Sequence, residues 1–145
     1  MATRLEQCAI LGQLEDSTAP EHCLLTDPNW DDSNYIFGTF ETPDLHMDDY
    51  FVALVGFPAG TIGAEVTFAV EFVPSDGRGV VPISSIQHAY IGQMQQIDVQ
   101  IPTHARGIAG RVRLRVEATA SAANAQAVWV EPRLVRRPAA QAGLP

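Results

Sequence analysis

The sequence predicts an all-β sandwich, and three observations carry that expectation. From Tyr35 onward short apolar or alternating runs recur about every ten residues. Gly, Pro, Asp and Ser separate them, and Pro58-Ala59-Gly60 and Ser75-Asp76-Gly77 supply the residues that tight turns need. No segment repeats its apolar residues with helical spacing for more than a turn or two.

The individual strands follow from this texture. We place them near Tyr35–Phe40, Tyr50–Phe57, Ala64–Val73, Gly79–Ser84, Met94–Ile101, Arg111–Thr119 and Ala127–Leu134. Alternation is clearest in two. Val66, Phe68, Val70 and Phe72 share one face while Thr67, Ala69 and Glu71 take the other, and Val112, Leu114 and Val116 alternate with Arg111, Arg113, Arg115 and Glu117. Tyr50-Phe51-Val52-Ala53-Leu54-Val55 is apolar on both faces, as a central strand is. The stretch from His104 to Gly110 has room for one helical turn, since its glycines discourage more.

Residues 1–33 read as an irregular leader packed on the domain, in which Cys8-Ala9-Ile10-Leu11 alone looks like a strand. Residues 34–135 form the sandwich, and residues 136–145 have the composition of a tail. A chain of 145 residues is long enough for one domain with its own core. Its 46% hydrophobic and 18% charged residues exclude disorder.

A net charge of −8 speaks against nucleic acid as a partner, because phosphate binding needs a basic surface. All nine basic residues are arginines, and seven of them lie at or beyond Arg106, whereas most carboxylates lie before Tyr50. This lopsided charge is either paired within the domain or matched between neighbouring copies. Cys8 and Cys23 are either two reduced thiols or one disulfide. No basic-then-apolar signal segment and no run of about 20 apolar residues is visible, so a soluble chain without membrane insertion is expected.

Nothing in the residues assembles a catalytic site. No serine sits in a nucleophile motif, and His22, His46, His88 and His104 are scattered as surface or loop residues. His46, Asp48 and Asp49 supply three metal donors without a fourth. Asp27, Asn29 and Asp31 have the alternate spacing of a calcium loop, but Asp32 and Gly38 stand where a hand-type loop needs glycine and glutamate. Sugar binding calls for an exposed aromatic platform edged by amides and carboxylates. Trp30 with Asn29, and Asn34 with Tyr35, meet that description on a loop, where Trp30 is either a platform or a hydrophobic plug for the leader. Trp129, between Val128 and Val130, is a core residue. Tyr90, beside Gln87 and His88, is not placed near Trp30.

The order of motifs from Ile36–Phe40 through Asp48–Phe57, Glu65–Val70, Ile97–Val99 and Val112–Ala118 to Ala127–Leu134 resembles bacterial modules of carbohydrate-binding type related to NPCBM domains. The closing Ala-Val-Trp-Val-Glu-Pro-Arg-Leu is its most specific piece. Where such modules often carry an acidic residue and an aromatic, this chain has Ala125 and Gln126. The resemblance implies an antiparallel β-sandwich of jelly-roll type, similar to galactose-binding domains, and a non-catalytic module that recognises carbohydrate. It also implies a structural calcium held in an irregular loop, for which Asp27, Asp31 and Asp32 are the candidates. The alternative is a structural subunit of virion-decoration, sheath or surface-layer type that forms a homo-oligomer through protein-protein contacts. That reading accounts for the lopsided charge and the exclusive use of arginine.

Overall fold

The computed structural model describes residues 3–7, 13–18, 22–26, 35–42, 44–61, 63–118 and 127–137. Its strands are β1 (Thr3–Gln7), β2 (His22–Thr26), β3 (Tyr35–Thr42), β4 (Asp49–Gly56), β5 (Glu65–Pro74), β6 (Val81–Ala89), β7 (Gln95–Gln100), β8 (Gly110–Ala118) and β9 (Ala127–Arg136). They form a five-stranded sheet ordered β1-β2-β9-β4-β7 and a four-stranded sheet ordered β3-β8-β5-β6. Every strand pair is antiparallel. The expected antiparallel sandwich is therefore what the chain forms, with a 3-10 turn at Thr103–Ala105 where one turn was anticipated.

Alternation builds the core. Val66, Phe68, Val70 and Phe72 of β5 and Val112, Leu114 and Val116 of β8 point inward and are buried. They belong to the same cluster as Phe51, Ala53 and Val55 of β4, Ile97 of β7 and Trp129 of β9. Trp129 meets Phe68 and Phe51 edge to face, with centroids 5.2 and 6.4 Å apart, the orientation that ring quadrupoles favour.

Two β-bulges explain why the sequence period misplaces strand ends. In β6 the register shifts between Val70 and Glu71 of its partner, so the inward residues change from Val81 and Ile83 to Ile86 and His88. Read with a fixed period of two, β6 stops at Ser84; the bulge resets the parity and the strand runs on to Ala89. A second shift lies between Val52 and Leu54 of β4, where β9 carries Glu131 at φ 48°.

The leader is not irregular throughout. β2 inserts beside β9, with Cys23 opposite Val130 and Leu24 opposite Trp129, and β1 adds to its far edge. Strand β2 shows no alternation because both of its faces are covered. Leu24 joins the main core, while Cys23 packs with Leu14, Val128 and Val130 in a second cluster outside the five-stranded sheet. Cys23 is disulfide-bonded. The strand expected at Cys8–Leu11 lies outside the described residues.

Part of the charge asymmetry is resolved internally. Asp49 is nearly buried, and Arg136 donates to it through Nε at 2.9 Å and Nη2 at 3.3 Å. The His46 backbone N–H donates to the same carboxylate at 2.9 Å. Asp49 is thus committed to Arg136, and His46, Asp48 and Asp49 do not assemble into a metal site. Among the described residues no group of three or more potential ligands could hold a metal ion.

Two outcomes follow from this packing. Trp129 Nε1 is buried without a hydrogen-bond acceptor among the described residues. Replacing Trp129 by Ala should cost about 3–5 kcal/mol in denaturant unfolding, whereas Phe should cost much less, because it removes the unsatisfied donor along with part of the ring. Burial raises the Asp49 carboxyl, but the Arg136 hydrogen bond, the His46 N–H and the Arg136 charge more than offset it and hold it below the ordinary 3.8. A depressed folded value stabilises above the unfolded value and is lost as pH falls through the folded one. The acid limb of the wild-type stability curve, below about pH 3.8, should therefore be steeper than that of Arg136→Gln.

Candidate functional site

The most tightly built polar cluster joins Glu15 and His88. His88 Nε2 lies 2.9 Å from Glu15 Oε2, and the two side chains are 2% and 0% exposed. Phe57 N–H donates to the same oxygen at 2.9 Å and Ile91 N–H donates to Oε1 at 3.1 Å. The His88 ring stacks on Phe57, with centroids 5.5 Å apart and planes inclined at 18°. Gly56 is required beside them, because a methyl group there would lie 2.6 Å from Glu15 Oε2. His88 is not the surface histidine expected from sequence; the β6 bulge turns it inward.

This cluster ties the chain together. Its carboxylate is sealed and already accepts three donors, so it is not presented to a substrate. Backbone bonds reinforce it: Glu15 N–H donates to Phe57 O, and Ala59 N–H donates to Gln13 O, both at 2.9 Å. Residues 13–18 are thereby held against the sandwich, and Leu14 covers Val128 and Val130.

With that end of the five-stranded sheet covered, two outer faces remain. On the five-stranded sheet, Tyr50, Val52 and Leu54 of β4 stand opposite Gln100, Asp98 and Gln96 of β7. The Arg137 guanidinium sits 4.6 Å from the centroid of the Tyr50 ring. It is anchored there by two bonds to Asp98, at 2.8 and 3.0 Å, which hold the Asp98 carboxyl below its ordinary value. The Tyr50 ring is therefore already stacked by the protein itself.

The outer face of the four-stranded sheet carries a mixed polar set among the described residues. Registers align its residues in rows across β3, β8, β5 and β6: Tyr35–Glu117–Thr67–Gln87, then Phe37–Arg115–Ala69–Ser85, then Thr39–Arg113–Glu71–Pro82. Glu117, Ser85 and Gln87 are exposed and Thr67, Glu71, Arg113 and Arg115 half-buried. Arg113 Nε donates to Glu71 Oε1 at 2.9 Å, and Arg115 Nη2 lies 3.5 Å from Oε2. Carboxylate, hydroxyl and amide groups thus share one surface with an aromatic residue position.

Of the residues expected to bind ligand, Tyr35 opens β3 and is paired with Glu117. Trp30, Asn29 and Asn34 lie outside the described residues, as do the calcium candidates Asp27, Asp31 and Asp32. Tyr90 packs on the core and its hydroxyl oxygen accepts the Gly60 N–H at 3.0 Å. Glu117, Thr67 and Gln87 were not singled out by sequence. Alternation puts Thr67 and Glu117 on wet faces, but nothing local says that three strands bring them into one row.

Two stacked antiparallel sheets define the class: the chain has the fold of carbohydrate-binding β-sandwich modules. It is similar to the CBM22-2 xylan-binding domain of Paenibacillus barcinonensis Xyn10C, with a TM-score of 0.54 and 12% identity over 94% of this chain and 88% of that one. It is also similar to TmCBM61, solved with β-1,4-galactotriose (TM-score 0.52, 13% identity, 94% and 83% covered). A third match is to Clostridium thermocellum xylanase Xyn10B, as CBM22-1-GH10 modules complexed with xylohexaose (TM-score 0.55, 14% identity, 94% of this chain and 25% of that one). No protein-family model and no curated protein matches the sequence. Among the described residues no helix is long and apolar enough to cross a membrane.

The Glu15 cluster gives a direct test of its role. Glu15→Ala leaves His88 and two backbone N–H groups without their acceptor, so unfolding should be easier by about 3–5 kcal/mol. In Glu15→Leu/His88→Leu the loss should be smaller than the sum of the single losses, but still present, because the Phe57 and Ile91 N–H groups stay unpaired.

Proposed function

We propose that this protein is a non-catalytic carbohydrate-binding module and that its glycan lies across the outer face of the four-stranded sheet. The observation that carries the reading is the row of polar side chains Glu117, Thr67 and Gln87 on this fold, with Tyr35 next to Glu117 in register. Sugar hydroxyls need directional donors and acceptors, and the apolar face of a pyranose needs an aromatic. The row offers a carboxylate, a hydroxyl and an amide beside a tyrosine position. Trp30, Asn29 and Asn34 enter the proposal through connectivity, since Trp30 is five residues from Tyr35 and thus within about 18 Å of it along the chain. A calcium ion on Asp27, Asp31 and Asp32 would order that same approach to β3.

Xylohexaose and β-1,4-galactotriose are suitable probes, followed by calorimetry with the whole chain. Gln87→Ala and Glu117→Gln should each weaken binding about three- to tenfold, the worth of one hydrogen bond. Leu54→Ala, on the opposite sheet, should leave it unchanged. The reverse pattern would move the site to the five-stranded sheet.

A further inference from the structure

Strand β7 is the last strand of the five-stranded sheet and pairs with β4 alone. The direction of its hydrogen bonds is fixed at one end, where Ile101 N–H donates to Asp49 O at 3.0 Å. Antiparallel partners exchange bonds at every second pair, so Val99, Ile97 and Gln95 turn their backbone groups toward Phe51, Ala53 and Val55. The other side of β4 agrees: Arg137 N–H donates to Asp48 O at 2.7 Å, which assigns the backbone groups of Tyr50 and Val52 to β9. Gln96, Asp98 and Gln100 therefore turn their N–H and C=O groups away from β4, to an edge where these groups meet no backbone partner among the described residues. All three residues are exposed.

A row of unpaired backbone groups templates a further strand unless it is blunted. An edge strand of the other sheet, β6, is blunted by the exposed Pro82 and by its register shift. Strand β7 has an unbroken register and contains neither proline nor lysine. Its single charge, Asp98, is held by Arg137 at 2.8 and 3.0 Å, and Arg133 stands in the same row beyond Val52. In a chain of net charge −8, this is a stretch of surface on which a like-charged molecule meets little repulsion.

We propose that a second copy of this chain occupies the edge, β7 against β7, about a two-fold axis between the two Ile97 residues, so that the two five-stranded sheets become one. The outward-facing residues then meet each other. Gln96 of each copy lies opposite Asp98 of the other, exchanges backbone bonds with it and sets an amide beside a carboxylate. An axis at Asp98 would put two carboxylates face to face, and one at Val99 would bring Pro102, which has no N–H, opposite Gln96. A foreign peptide added to a sheet edge is selected by pockets for its alternate side chains. Here the groups beside the edge are amides and a paired carboxylate, which match their own copies. The inference stands independently of the glycan reading.

The test is light scattering on the whole chain over a wide range of concentration, with amide hydrogen exchange followed residue by residue. We expect a dimer that dissociates on dilution. Exchange of the Gln96 and Asp98 N–H groups should slow in the dimer only, while the Ile97 and Val99 N–H groups are protected in both states. Gln96→Asp sets like charges opposite each other at two symmetric places and should weaken the dimer about threefold or more, whereas Gln96→Arg should strengthen it by a similar factor. Because the two substitutions act in opposite directions at one exposed position, a general loss of fold cannot imitate the pair of results. A monomer at every concentration overturns the proposal. So does a dimer in which Gln96 and Asp98 exchange as fast as in the monomer, or whose affinity is the same in both variants.

Discussion

The carboxylate of Glu15 is the constraint on which the arrangement of the surface depends. It accepts from Phe57 at the end of β4, from His88 in β6 and from Ile91 in the following turn. A buried polar group is tolerated when its hydrogen-bonding capacity is satisfied, and breaking such a set costs far more than the set contributes in isolation. These contacts fix where residues 13–18 cross the sandwich. Leu14 then closes a second apolar cluster on the outside of the five-stranded sheet, over Val128, Val130 and Cys23. The five-stranded sheet is covered at that end as a result.

Arginine is used in two ways on this framework. At the C-terminal end of β9, Arg136 and Arg137 reach across to Asp49 and Asp98 and join that end of the strand to β4 and β7. Arg137 also lies over Tyr50, so a ring that would otherwise be open to a ligand takes a cation from its own chain. On β8 the arginines project from the centre of a sheet rather than from its end. Arg113 and Arg115 share the carboxylate of Glu71 on β5 there. The same residue type thus ties strands together on both sheets.

The difference between the faces bears on recognition. A ligand on the five-stranded sheet would have to displace Arg137 from Tyr50 while breaking two charge-assisted bonds to Asp98. On the four-stranded sheet Glu117, Ser85 and Gln87 are exposed. A preformed surface avoids that ordering cost and leaves more of the contact energy to appear as affinity.

The sequence by itself determined the class of fold and the inward and outward faces of β5 and β8, because a period of two repeats across those strands without interruption. It also placed Trp129 in the core, where apolar neighbours on one strand suffice to decide burial. Tertiary structure alone decided the rest. The leader strand β2 carries no alternation because it is covered on both faces, and His88 turns inward because a bulge resets the parity of β6. Tyr35 was readable as a candidate from its neighbours on a loop, but its row with Glu117, Thr67 and Gln87 was not. Register between distant strands is fixed by the packing of the whole sandwich, and no local pattern encodes which residues will stand side by side.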